Sequence, residues 1–242
     1  TNDLSESQLN ALNQVQSQLK DKDVILLEGV TSSGKTEIYM KIIEDYLDKE
    51  MQVLYLLPEI SLTTQIIQKL KIHFGDKISV FHSRFSLNER TEVWENIKKN
   101  KNKSRLIVGA RSSVFLPFQN LGLIIIDEEH EISYKQQEPS PRYNARDSAI
   151  YLSKLNNSKV ILGSATPSVE SSFNAKNNKY GYVKLKERFG NIEMPNIFTI
   201  DMKNELKHEY SSIFSLRLVE EIEKTIKDGK QVILFRNRRG YS

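Results

Sequence analysis

Short aliphatic and β-branched runs at Val24–Glu28, Val53–Leu57, Ile78–Phe81, Arg105–Gly109, Leu123–Asp127 and Val160–Gly163 constrain the fold more than anything else in this sequence. Each is strand-length, and amphipathic helical stretches separate them, the rhythm of a parallel sheet covered by helices on both faces. Between the first two runs, Ile38, Ile42, Ile43, Tyr46 and Leu47 recur at the spacing that puts them on one face of a crossover helix. The fold class is therefore α/β. After Ser164 the pattern weakens: Asn174 to Asn178 is polar, and Gly181, Gly190 and Pro195 punctuate the stretch to about residue 200, which is expected to lead out of the first lobe. A second unit then begins. Leu218, Val219, Ile222 and Ile226 form a helical stripe, Gly229 is the expected stop, and Val232–Phe235 reads as a strand. The expected division is 1–198 and 199–242, the second unit being the truncated start of another α/β lobe, because a lone helix and strand cannot stand without neighbours.

Composition narrows the classes. The chain has 242 residues and 38% hydrophobic content, enough for one full core and part of another. A formal charge of +4 suits a phosphate-rich partner without requiring one. The absence of cysteine excludes disulfides and thiolate metal sites, and His73, His82, His130 and His208 lie too far apart for a local metal cluster. The apolar runs fall well short of the ~20 residues of a membrane span, and Thr1–Gln8 lacks the features of a secretory signal. A soluble, cytoplasmic protein with no membrane partner is expected.

Gly29-Val30-Thr31-Ser32-Ser33-Gly34-Lys35-Thr36 fits the P-loop pattern and lies between a strand and a helix, where phosphate binding requires it. Backbone N–H groups of such a loop converge on phosphate oxygens at the positive end of a helix; Lys35 reaches the β and γ phosphates and Thr36 holds Mg²⁺. Hydrolysis also needs carboxylates. Asp127-Glu128-Glu129-His130 supplies them at the end of a buried strand, with Asp127 on the metal and Glu128 as base. His130 is either a surface histidine or a bridge from the nucleotide to the second lobe.

Asp127–His130 together with Gly163-Ser164-Ala165-Thr166-Pro167 resembles motifs II and III of superfamily 2 helicases, the D-E-x-H class. Leu57–Thr63, Gly109–Phe115 and Phe235–Tyr241 resemble motifs Ia, Ib and IV of the PriA family of replication-restart DNA helicases, in family order over nearly the whole chain. This resemblance implies a RecA-like P-loop NTPase lobe with the start of a second RecA-like lobe, ATP and Mg²⁺ as ligands, and a 3′-to-5′ motor acting on forked and single-stranded DNA. It also implies other primosome proteins and single-stranded DNA-binding protein as partners of the intact protein. Ser61, Thr63, Arg111 and Ser112 would contact the DNA backbone, although each also suits an ordinary cap or surface position. Ser133–Asp147 is similar to the family's aromatic-rich loop, which couples single-stranded DNA to hydrolysis: Tyr134 and Tyr143 offer stacking faces, Lys135, Arg142 and Arg146 offer charge. Gln8 looks like the glutamine that touches adenine ahead of motif I.

Ser32 stands where the family has glycine, and Asn144 where it often has histidine. The family's N-terminal DNA-binding domains, its cysteine-rich zinc insertion and its motifs V and VI fall outside this sequence, so zinc is expected only in that insertion. Without the arginine finger of motif VI the chain is expected to bind nucleotide but hydrolyse slowly. Two other readings remain open at this level: another superfamily 2 translocase on RNA or DNA, and a nucleotide-gated scaffold for primosome assembly.

Overall fold

The computed structural model describes residues 4–59, 61, 63–82, 85–187, 195–206 and 213–235. The strands are β1 (Val24–Gly29), β2 (Gln52–Leu56), β3 (Ile78–Phe81), β4 (Leu106–Gly109), β5 (Leu121–Ile126), β6 (Lys159–Ser164) and β7 (Gly181–Leu185). They form one sheet in the order β3-β4-β2-β5-β6-β1-β7, every neighbouring pair parallel. Parallel pairing needs a crossover after each strand. Helices α1 (Glu6–Gln18), α2 (Lys35–Asp48), α3 (Thr64–Phe74), α4 (Leu87–Lys98), α5 (Ala145–Asn156) and α6 (Val169–Lys176) belong to this unit.

Alternate residues of the central strands feed two cores, one on each face. Ile25, Leu27, Val53, Tyr55, Leu123 and Ile125 pack with α2 residues Ile38, Ile42 and Ile43; Leu26, Leu54, Leu56, Ile124, Ile126 and Leu162 pack with Tyr134, Ala145 and Ala149. Fully burying an aliphatic side chain stabilises by about 1.5–3 kcal/mol, so strands apolar on both faces have nowhere else to go. The expected α/β sandwich is what forms, and because the strands are parallel, the ends of β1, β2, β5 and β6 open on the same edge.

Two expectations are corrected. The stretch after Ser164 holds α6 and an added strand, β7. Its burial alternates, with Val183 and Leu185 inward and Tyr182 and Lys184 outward, as for a sheet margin covered on one side. The carboxamide of Gln18, from α1, donates to the Tyr182 carbonyl (3.1 Å) and accepts from the Tyr182 N–H (2.8 Å). The expected strand at Val232–Phe235 does not form: these residues have no regular structure, and among the described residues no strand lies beside them to supply hydrogen bonds.

The chain divides into two compact units, 1–193 and 194–242. The second contains α7 (Met202–Leu206) and α8 (Leu216–Lys227), the latter capped by Ser215. Of the Phe235–Tyr241 motif, all but Phe235 lies outside the described residues. No helix among the described residues is long and apolar enough to cross a membrane.

Candidate nucleotide site

The loop after β1 turns on two left-handed residues, Ser32 (φ 63°) and Gly34 (φ 82°). Serine at the first pays a modest steric penalty that glycine would avoid. At the second, glycine is demanded twice over, since a Cβ there would lie 1.9 Å from Gln8 Nε2. Gln8 is buried and is the third helical residue of α1. Its Oε1 accepts from Ser5 N (2.9 Å) and its Nε2 donates to the Ser33 carbonyl (3.1 Å), so it fastens the loop to α1. Helix α2 opens at Lys35 with no side-chain cap on Gly34; Glu37 N–H turns back to the Gly34 carbonyl (3.2 Å), so the helix start is open to a ligand at Lys35 and Thr36. Gly29 closes the strand beneath, Val30 and Thr36 are partly buried, Thr31 and Ser32 are exposed, and the buried Ser33 hydroxyl has no protein partner.

Across the cavity, Asp127 follows β5. Its N–H extends the ladder to the Leu56 carbonyl (3.0 Å), and Glu129 N–H reaches the Gly163 carbonyl (3.0 Å), so the acidic turn is tied to a strand on each side. Glu128, between them, has φ 47°, a conformation that a non-glycine residue holds only where its surroundings enforce it. Lys35 Nζ donates to the Gly29 carbonyl (3.0 Å) and lies 3.8 Å from Glu128 Oε1. Gln8, Thr31–Glu37, Lys69, Asp127 and Glu128 line one cavity of about 420 Å³. Thus the two motifs, far apart in sequence, meet on a single space.

Tyr39 and Tyr55 donate to the two oxygens of Asp127 (3.2 and 3.3 Å), and Glu128 N–H donates to Oδ1 (3.1 Å). Sequence reasoning missed both tyrosines, which look like core aromatics because their rings are just that, packed edge to face at 5.8 Å. Burial, then the charge of Glu128, raises the Asp127 pKa despite Lys35 and these hydrogen bonds. Burial and Asp127 likewise push the two phenols well up, so both remain donors. For an acid whose pKa is raised by folding, the ionised form costs stability above the unfolded pKa, and the cost disappears as pH falls below it. Asp127→Asn is therefore expected to melt higher than the parent at neutral pH, by about 2–4 °C for each kcal/mol recovered, with the gap closing on acidification. Thermal scans across pH check this; a variant that melts lower at neutral pH refutes it.

Gly163 makes room for this arrangement. A Cβ there would fall 1.7 Å from the Tyr39 hydroxyl and 3.3 Å from Asp127 Oδ1. Gly163→Ala is expected to push Tyr39 off Asp127 and to cost about 1–3 kcal/mol, the usual result of overpacking, measurable by urea unfolding.

His130 sits beside the end of β6, with Nδ1 2.7 Å from Ser164 Oγ and Nε2 3.4 Å from Thr166 Oγ1. Glu129 turns inward and is fully buried. It accepts from Arg146 Nη1 (3.0 Å), Ser168 N (2.7 Å), Ser168 Oγ (3.0 Å) and Ser171 Oγ (2.9 Å).

The residues expected on nucleic acid divide. Ser61 is partly buried, Thr63 caps α3, Ser112, Lys135 and Arg142 are exposed, and Arg111 donates to the carbonyls of Ser133 (3.3 Å) and Lys135 (3.2 Å). Tyr143 is half-buried, edge-on to Phe115 at 4.8 Å. Two expectations are corrected. Tyr134 is 1% exposed with its hydroxyl on the Asp127 and Leu56 carbonyls, and Arg146 is 9% exposed on Glu129 and Ser168. Neither presents a ring or a free charge to a base or phosphate. In a loop sequence, an aromatic or arginine that turns inward reads the same as one that turns outward.

The chain is 48% identical over 219 residues to the replication restart protein PriA of Bacillus subtilis, covering 90% of this chain and 27% of that protein. It is 45% identical to that of Rickettsia felis, covering 99% and 36%. It thus spans about a third or less of the relatives' length. Among solved structures, RecG bound to a three-way DNA junction matches with a TM-score of 0.57 at 17% identity, covering 95% of this chain and 28% of that one. That is a likeness of fold, RecA-like in both. The model of the DEAD/DEAH box helicase family matches residues 5–173, well over half of the chain, and the chain belongs to that family.

Proposed function

We propose that this chain is the ATP-binding part of a 3′-to-5′ DNA helicase of replication restart, acting on forked and single-stranded DNA. The observation that carries the reading is the approach of Lys35 to Glu128 in a cavity they share with Asp127 and the phosphate loop. The residues present fit ATP and Mg²⁺. An uncapped helix start and the unpartnered Ser33 hydroxyl suit phosphate oxygens. Thr36 and Asp127 give one hydroxyl and one carboxylate, the donor set of a magnesium ion that shares its remaining positions with phosphates and water.

Bound Mg·ATP supplies a polarised phosphoanhydride bond. Lys35 would neutralise phosphate charge, Asp127 with Thr36 would hold the metal, Gln8 would be the residue offered to the adenine, and Glu128 would take a proton from the attacking water. Ser61, Thr63, Arg111, Ser112, Lys135, Arg142 and Tyr143 are the DNA-facing set. Residues 199–242 are the start of a second RecA-like lobe, and primosome proteins and single-stranded DNA-binding protein are partners of the longer protein. Calorimetry of Mg·ATP binding by the folded chain and by Lys35→Ala tests the first part, with uptake expected only by the former. ATPase rates of the full-length protein with forked DNA, single-stranded DNA and RNA test the second. No adenine nucleotide uptake, or equal stimulation by RNA, would sink the respective claim.

A further inference from the structure

Gln8 is the side chain offered to a base, yet most of its hydrogen-bonding capacity is already used. Its Oε1 accepts from Ser5 N and its Nε2 donates to the Ser33 carbonyl, and with 2% of its surface exposed it is held in that orientation. An amide so held keeps one N–H and one lone pair for a ligand. A second polar group stands beside it. A Cβ on Gly34 would lie 1.9 Å from Gln8 Nε2 and 3.2 Å from Glu37 Oε2, so the amide and the carboxylate flank the same point of the phosphate loop. Glu37 belongs to the first turn of α2, and a carboxylate beside a phosphate-binding helix start repels its ligand unless a cation offsets it. Lys69, reaching across from α3, supplies that cation and binds the other oxygen, Oε1, which leaves Oε2 as an open acceptor. Glu37 and Lys69 both line the cavity of the phosphate loop and Asp127. Both also border a second space of about 260 Å³, where Leu4, Met40 and Ile72 give apolar surface suited to the face of a ring.

We infer that Glu37, held by Lys69, selects adenine over guanine at this site, by accepting from the 6-amino group while Gln8 donates to N7. This rests on the ATP-binding reading above. The N6–N7 edge of adenine is a donor beside an acceptor, whereas the same edge of guanine is two acceptors. Facing the N–H of Gln8 and the carboxylate of Glu37, adenine is matched at both places. Guanine would set its O6 against a carboxylate with no proton between them, and a site built for hydrogen bonding rejects a ligand chiefly through the polar group it leaves unmet.

The test measures equilibrium binding to the full-length protein, by competition with a fluorescent ATP analogue. The competitors are the Mg²⁺ complexes of ATP, GTP and purine riboside triphosphate, which lacks the 6-amino group. The parent is expected to prefer ATP to each of the others by about tenfold or more, the factor one unmet hydrogen bond carries. Glu37→Gln, whose amide can turn its NH₂ toward O6, is expected to narrow the ATP-to-GTP preference by about tenfold. Glu37→Ala is expected to bind ATP and purine riboside triphosphate within about twofold of each other. Lys69→Met, which leaves Glu37 without its cation, is expected to weaken ATP binding by about two- to fivefold, the scale of an exposed pair. An unchanged preference in Glu37→Gln, a Lys69→Met protein that binds ATP like the parent, or a parent that takes up ATP and GTP alike overturns the inference. A parent that takes up no nucleotide overturns the underlying reading instead, so the two failures are distinguishable.

Discussion

Replacing Glu128 by Gln in the full-length protein should lower kcat for ATP hydrolysis by about 10²–10⁴, the contribution of a positioned general base, while nucleotide affinity holds. The amide keeps the shape of the carboxylate and cannot accept the proton. It also removes the negative charge that raises the Asp127 pKa, and the 3.8 Å partner of Lys35, so the phosphate-binding side of the site is left no weaker. Single-turnover rates with saturating Mg·ATP, together with a direct Kd, separate the two effects. A kcat within tenfold of the parent's would mean that another group carries the proton.

The second large effect concerns stability. Arg146→Ala leaves Glu129, with no exposed side-chain surface, as a buried carboxylate facing only the two serines and one N–H. Removing one partner of a buried ion pair typically costs about 3–5 kcal/mol, because the remaining charge stays desolvated. Burial alone would lower the Arg146 pKa, and Glu129 with Asp147 more than offsets this, a sign that the guanidinium belongs to the pair. Urea unfolding of the parent and variant measures the difference. A loss below about 1 kcal/mol, the scale of an exposed pair, would place Glu129 in contact with water.

What was legible in the sequence follows from how local the signal is. The strands from β1 to β6 announce themselves because each is apolar on both faces, and the phosphate loop because its glycines and lysine are contiguous. Strand β7 hid because only Val183 and Leu185 turn inward and Gly181 looked like a break. The helical stripe of α8 is legible as a helix, whereas Val232–Phe235 has strand composition and, among the described residues, no strand to pair with. Within the site, the meeting of Lys35 with Glu128 followed from motif logic. The tyrosines around Asp127 did not, since nothing local tells a core phenol from one whose hydroxyl reaches a carboxylate. In the sequence Glu129 is one more acid of the motif and Arg146, 17 positions on, a charge offered to phosphates; their partnership exists only once α5 is laid against β5.

Gln18 has a consequence of a different kind. The outermost strand of an open sheet offers a row of donors and acceptors that any extended peptide could zip onto. By answering both polar groups of Tyr182 with one amide, Gln18 imitates the rung that an additional strand would bring. Growth of the sheet in that direction is blunted by a side chain from the chain's own first helix, which guards this margin against adventitious self-association.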